Sequence, residues 1–193
     1  MPPKLQITKD MIINAGIGLI RQYGEEALNV RRIASELKCS TQPVMYQFAT
    51  VDELKSEIYS AADKYHSEYI LSADPQTDDP MLSIGMNYIR FAYEEKKLFR
   101  FLFQSDKYAN SGISELIDNS DIAPVFDILS QETGLSHEQS KDAFSALFLT
   151  VHGIASLLAN NSMEYDAGYF EKTLTNVFMG VIGAISSDEN NER

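Results

Sequence analysis

Thr41, Gln42, Tyr46 and Gln47 crowd one short polar stretch of "NVRRIASELKCSTQPVMYQF", residues 29–48. None of these types is one that a hydrophobic core requires. A glutamine amide can hold an adenine edge through a donor and an acceptor at once. Threonine and tyrosine hydroxyls suit phosphate or base contacts. Arg31 and Arg32 lie close by in the sequence, and guanidinium groups bind phosphate oxygens. The chemistry on offer is recognition of a nucleic acid.

Competing chemistries find less support. His66, His137 and His152 are the only histidines, and no two are spaced i, i+4 to share a metal on one helix face. No glycine-rich phosphate loop occurs, and no serine sits in a nucleophile-elbow pattern. No catalytic residue, metal site or cofactor is therefore expected, and the chain reads as a non-enzyme. Cys39 is the only cysteine, which excludes an intrachain disulfide and fits a reducing, cytoplasmic setting. Its compact apolar side chain suits packing in a turn.

Charge is distributed unevenly over the 193 residues. The net charge of −12 opposes a nucleic-acid partner, yet residues 1–50 carry six Lys/Arg against four Asp/Glu, and the remainder ten against twenty-four. A mildly basic head on an acidic body suits a protein that touches DNA at one end. No apolar run reaches the roughly 18 residues that span a bilayer. The N-terminus lacks a signal-peptide core, so no membrane contact is expected.

The elements that would hold the polar stretch read as helices. Ile13, Ile17, Ile20 and Gly24 form one stripe, with Thr8 as cap and Gly24 as terminator. Asn29 caps a second helix with Val30, Ile33, Ala34 and Leu37 inward. Ser40 opens a short third helix, in which Pro43 is tolerated because first-turn amides lack intrahelical partners. Val44 and Phe48 anchor it from below.

Thr50-Val51-Asp52-Glu53 resembles a capping box and opens a long helix through Leu54, Ile58, Ala61, Tyr65 and Tyr69. "SADPQTDDP" breaks the pattern. Helical spacing resumes from Met81 to about Lys96, and "LFRFLFQS" is a short, very apolar segment. "DKYANSGISELIDNSD" reads as a loop with a turn of helix. Further helices are expected over about 123–132, from the capping box at Ser136 to about 160, and over about 167–186 before a polar, fraying tail. This all-α pattern of about nine helices predicts a three-helix helix-turn-helix domain over 1–50 and a larger helical domain over 51–193.

Residues 8–55 resemble the DNA-binding domain of the TetR (tetracycline-repressor-like) family of transcriptional regulators. The resemblance rests on Gly24, Asn29-Val30-Arg31, Ile33-Ala34, Ser40, Tyr46, and Phe48 with Leu54 six residues on. "VHGIASLL" (151–158) resembles a His-Gly motif found in many members. The departures are Lys38 where the family has glycine, Met45 at the usual tyrosine with Tyr46 next, and Val51 at the usual lysine. Lys55, one turn on, is the substitute cation.

The resemblance implies a ligand-responsive repressor that binds a near-palindromic operator in double-stranded DNA as a homodimer. It implies DNA contacts at Asn29, Arg31, Ser40, Thr41, Gln42, Tyr46, Gln47 and Lys55. It also implies a small-molecule effector of unknown identity, with Tyr65, Tyr69, Met86, Tyr88, Phe103, Phe126, Phe148 and His152 as the pool of ligand contacts. Each of these side chains has core packing as its alternative role, and His152 has a subunit contact as well. The alternative for the whole chain is a helical small-molecule-binding protein without specific DNA binding.

Dimerisation has an independent argument. The helices at about 138–160 and 167–186 are apolar on more than one face, and "VFMGVIGAI" leaves almost no polar side. One monomer buries only one stripe of a terminal helix. Phe144, Val151, Phe170, Leu174, Val177, Phe178, Val181 and Ile185 are the expected interface, with Gly180, Gly183 and Ala184 allowing close backbone approach.

Overall fold

The computed structural model describes residues 6–72, 77–104 and 122–191, and its regular structure there is entirely helical. The helices are α1 (Lys9–Tyr23), α2 (Val30–Glu36), α3 (Thr41–Met45), α4 (Val51–Ile70), α5 (Pro80–Glu94), α6 (Lys96–Phe103), α7 (Ala123–Thr133), α8 (His137–Asn160) and α9 (Ala167–Asn191). A single 3-10 turn, Glu25–Ala27, joins α1 to α2. The apolar segment "LFRFLFQS" supplies α6, and α9 runs five residues past its expected end. The expected loop at 106–121 lies outside the described residues.

Helix ends follow local chemistry. The Thr8 hydroxyl accepts from the Met11 amide at 3.3 Å, and Asn29 Oδ1 accepts from the Arg32 amide at 3.0 Å. Thr50 Oγ1 accepts from the Glu53 amide at 3.0 Å, while the Glu53 carboxylate reaches back to the Ala49 amide. Ser136 and Gln139 form a complete reciprocal box. Gly24 closes α1 at φ 99°, a conformation that side chains resist.

The chain divides into two compact units. The first runs to His66 and also takes in α6, whereas the sequence predicts a head that stops at residue 50. Its core includes Ile12, Ile20, Ile33, Val44, Leu54, Ile58, Leu98, Phe99 and Leu102, all essentially buried. Burial of side chains such as Ile33 contributes about 1.5–3 kcal/mol each. The buried face of α1 is Ile12, Gly16, Leu19 and Ile20, with Ile13 and Ile17 only half-buried. The expected stripe was thus displaced by about one residue, because α1 is apolar on both sides of that line. A Cβ on Gly16 would collide with Ile58 Cδ1 and lie 3.1 Å from Cγ1, so α1 rests directly on α4.

Along α4 the inner line is Leu54, Ile58, Ala62 and His66, a strict four-residue step. The expected Ala61 and Tyr65 are half-buried beside it. A histidine on the inner line is what apolar spacing alone does not reveal.

In the second unit, α5 is the central element and packs against α7, α8 and α9. Its buried residues include Met86, Asn87, Tyr88, Ile89 and Phe91. Asn87 Nδ2 donates to the Ser72 carbonyl at 2.8 Å, and its Oδ1 accepts from Arg90 at 3.0 Å. The amide thereby satisfies its own burial and fixes the chain just past α4.

Candidate nucleic-acid interface and aromatic wall

The turn between α2 and α3 sets how α3 is presented. The Lys38 amide donates to Ser35 O at 3.1 Å and the Cys39 amide to Ala34 O at 2.9 Å. Lys38 itself sits at φ 53°, among the described residues the one non-glycine with positive φ. A lysine held there costs roughly 1 kcal/mol relative to glycine.

The residues of α3 and of the segment just after it divide between a buried and an exposed side. Val44 is fully buried and Phe48, just beyond the helix, nearly so. Thr41 and Gln42 are exposed, and Tyr46 is 76% exposed. Gln42 Nε2 donates to the Tyr46 hydroxyl at 2.5 Å, one helical turn away. Gln47 behaves differently. It is half-buried, and its amide donates to the Ile7 carbonyl at 3.1 Å, tying the end of α3 to the lead-in of α1.

Arg31 and Arg32 of α2, Lys38 of the turn and Lys55 of α4 are all exposed. Among the described residues no ion pair engages any of them, whereas Lys9 lies 3.4 Å from Glu57 and 3.9 Å from Glu53. Arg32 leans over the Tyr23 ring at 5.5 Å. Asn29 works as a cap on both sides, since its Nδ2 also donates to the Ala27 carbonyl at 3.3 Å. Ser40 is exposed at the start of α3 and makes no side-chain cap bond.

The second unit carries a run of stacked rings. Phe144, Phe148 and His152 follow one another at four-residue steps on α8. Phe144 and Phe148 stack at 5.8 Å, and Phe148 and His152 at 5.4 Å. Phe126 of α7 meets Phe144 at 5.1 Å. Tyr88 of α5 meets Phe148 edge-on at 6.1 Å, and its hydroxyl bonds His152 Nδ1 at 2.9 Å. Burial pushes the His152 imidazole below its ordinary pKa, so the ring is neutral near pH 7.

Of the expected ligand contacts, Tyr88, Phe126, Phe148 and His152 come together in this wall. The others do not join it. Met86 is buried against Ile89, Leu158, Phe170 and Leu174. Tyr69 donates to Glu94 at 2.8 Å. Tyr65 lies under the Arg21 guanidinium at 4.7 Å, and Phe103 meets the buried His66 at 4.9 Å, both within the first unit. Burial pushes the His66 imidazole down to about 3. Phe144, expected at a subunit contact, belongs to the wall, and its i, i+4, i+8 relation to Phe148 and His152 was visible in the sequence.

Of the eight residues expected at a subunit contact, Phe144, Phe170 and Leu174 are buried within the chain, while Val151, Val177, Phe178, Val181 and Ile185 pack there and stay half-buried. Phe144, Val177, Phe178, Val181 and Ile185 join one core cluster, and Val151, Phe170 and Leu174 another. The apolar groups left at the surface of α8 are Leu149 and Leu157, each about half exposed, with Gly153 between them. On α9 they include Tyr169, Met179, Gly180, Gly183 and Ala184. Helices apolar all round hide this choice, because periodicity does not say which stripe faces inward.

Among solved structures, the chain is similar to a member of the TetR family from Streptomyces coelicolor A3. The TM-score is 0.58 at 20% identity, over 88% of this chain and 96% of that one. This is the TetR-family fold. Apo ActR from Streptomyces coelicolor is similar to the same degree, with a TM-score of 0.59 at 16% identity over 96% of this chain and 100% of that one. No family model and no curated protein matches the sequence. Within the TetR-family fold, Lys38 occupies the left-handed turn position, Met45 is half-buried while Tyr46 stands in solvent, and Val51 is exposed.

Proposed function

We propose that this chain is a ligand-responsive transcriptional regulator, acting as a repressor, that binds a near-palindromic DNA operator as a homodimer. The carrying observation is the exposed polar face of α3, with Gln42 and Tyr46 outward and Val44 and Phe48 buried beneath. A helix so divided, entering a major groove, brings amide and hydroxyl groups to base edges. Thr41 and Ser40 would sit near phosphate, with Arg31 and Lys55 as cations. Gln47 is half-buried and tied to the Ile7 carbonyl, so its role in this reading is to hold α3 in place. The head to about residue 50, with Lys55 just beyond it, serves DNA, and the rest of residues 51–193 serves effector binding and dimerisation.

The aromatic wall supports effector binding, since stacked rings with a Tyr–His polar pair suit a small, largely apolar molecule. The exposed faces of α8 and α9 support pairing with a second copy, which would bury Leu149, Leu157 and Met179, with glycines allowing close approach. Val177, Phe178, Val181 and Ile185 would back that contact from beneath. A site within the cytoplasm follows from this role. The alternative, a helical small-molecule-binding protein without specific DNA binding, draws on the net charge of −12.

Selection of bound duplexes from a random pool at fixed salt separates the two. Enrichment of a near-palindrome with half-sites about one DNA turn apart is expected. A pool that stays random at low salt would leave the alternative standing and the regulator reading refuted.

A further inference from the structure

Gln42 and Tyr46 form a hydrogen-bonded pair on the solvent face of α3, yet neither is needed to hold that helix in place. A surface glutamine ordinarily samples many rotamers and both amide orientations. Here one Nε2 hydrogen is given to the Tyr46 oxygen. The second Nε2 hydrogen and the Oε1 lone pairs remain, side by side, as a donor next to an acceptor.

Adenine presents the complementary edge in the major groove, an N6 donor beside an N7 acceptor. Guanine presents two acceptors, O6 and N7, so Oε1 would face oxygen or nitrogen without a hydrogen between them. A glutamine free to turn loses part of this discrimination, because its preferred edge must be ordered at the moment of binding. The Tyr46 hydroxyl, as acceptor from Gln42, keeps its own hydrogen for another partner. A phosphate oxygen accepting that hydrogen leaves the hydroxyl only an acceptor role toward Gln42, and the amide cannot then turn its oxygen to Tyr46.

We propose that Tyr46 is a positioning residue for base readout, holding the Gln42 amide in the orientation that selects adenine at one position of each half-site. The inference rests on the DNA-binding reading above. It adds to that reading the identity of the base and the way a backbone contact is converted into base preference.

The test is selection from a random duplex pool, followed by titration of the selected operator and its adenine-to-guanine variant. Wild type, Tyr46→Phe, Gln42→Ala and Gln42→Arg are compared. Both positions are exposed, and circular dichroism checks that each variant is folded. Wild type is expected to prefer adenine over guanine at that position by roughly 10- to 100-fold. Tyr46→Phe should collapse that ratio to within about threefold while leaving preferences at other positions in place, and Gln42→Ala should do the same. Gln42→Arg should move the preference to guanine, with or without Tyr46, because a guanidinium fork needs no orientation by a hydroxyl.

A Tyr46→Phe protein that keeps the full adenine ratio would overturn the positioning role while leaving DNA binding intact. So would a loss of affinity that is equal for the adenine and guanine operators, because the missing phosphate contact alone would account for it. If wild type enriches no sequence at all, the DNA-binding reading falls and this inference falls with it.

Discussion

Arg21 and Glu95 meet side-on, with Nη2 donating to Oε1 at 2.6 Å and Nε to Oε2 at 2.9 Å. The pair ties α1 to the residue just ahead of α6 inside the first unit. Arg21 also covers the Tyr65 ring, and Lys97 donates to the Gln22 carbonyl alongside. Two-point geometry lifts this above an ordinary surface pair, while exposure and salt screening discount it. A double-mutant cycle of Arg21→Ala and Glu95→Gln, read by urea unfolding, should give a coupling of about 0.5–1 kcal/mol that shrinks at high salt. Arg21→Ala should cost more than Glu95→Gln, because it also uncovers Tyr65. Equal costs with no coupling would remove the pair as a stabilising tie.

Arg31 of α2 is exposed, and among the described residues no salt bridge engages it. If it meets phosphate, Arg31→Ala weakens binding to every duplex alike. The slope of log affinity against log salt then flattens by about one unit. Titration at four salt concentrations measures this, and an unaltered slope would take Arg31 out of the interface.

Two histidines make stability depend on acidity in one direction. Burial depresses both His66 and His152, so the unfolded chain binds more protons than the folded one once the pH falls below about 6.5. Stability is therefore fully present above that value and declines as the solution is acidified, through the window down to about 3 for His66. Within that window His66 contributes a slope approaching about 1.4 kcal/mol per pH unit, and His152 acts in the same direction. Urea unfolding at pH 7.5 and 5.5 should show wild type losing more than His66→Leu, since the variant has one fewer group to protonate. Identical losses would contradict the depressed His66.

For the proposed dimer, sedimentation equilibrium at micromolar concentration should give about twice the 21.7 kDa chain mass. Leu157→Glu and Met179→Glu place charges on exposed apolar groups and should yield folded monomers with weak operator affinity. Phe144→Glu should instead unfold the second unit, because that ring is buried in its core. Leu157→Glu and Met179→Glu proteins that still sediment as dimers would place the contact elsewhere.

Local chemistry was the legible part of this chain. Thr8, Asn29 and Ser136 cap the helices that their side-chain oxygens mark, and Lys38 adopts the left-handed turn that its place in the motif demands. The polar face of α3 was equally visible, because Val44 and Phe48 leave nothing else for Thr41, Gln42 and Tyr46 to do. Long-range choices were not. Nothing local says that Gln47 reaches Ile7 across forty residues, or that α6 belongs with α1 rather than with α5 beside it. The stripes of α8 and α9 are apolar on every side, so Phe144 and Leu149 look alike until the packing partner is known. His66 shows the converse, a polar type on a buried line where burial itself suppresses the charge.

Between Gly16 and Ile58, the spacing of two helices is governed by an atom that is not there. Any larger residue at position 16 would act as a shim, prising α1 from α4 by the width of a methyl group unless Ile58 turned aside. Since α2 packs on α1 and α3 on α2, the shim would tilt Thr41, Gln42 and Tyr46 as a block and leave their hydrogen-bonding groups unaltered. If Gln42 reads a base as proposed, aim and alphabet are separately adjustable in this head. A single codon far from the polar face would then change where α3 points, while the codon for Gln42 would change which letter it accepts.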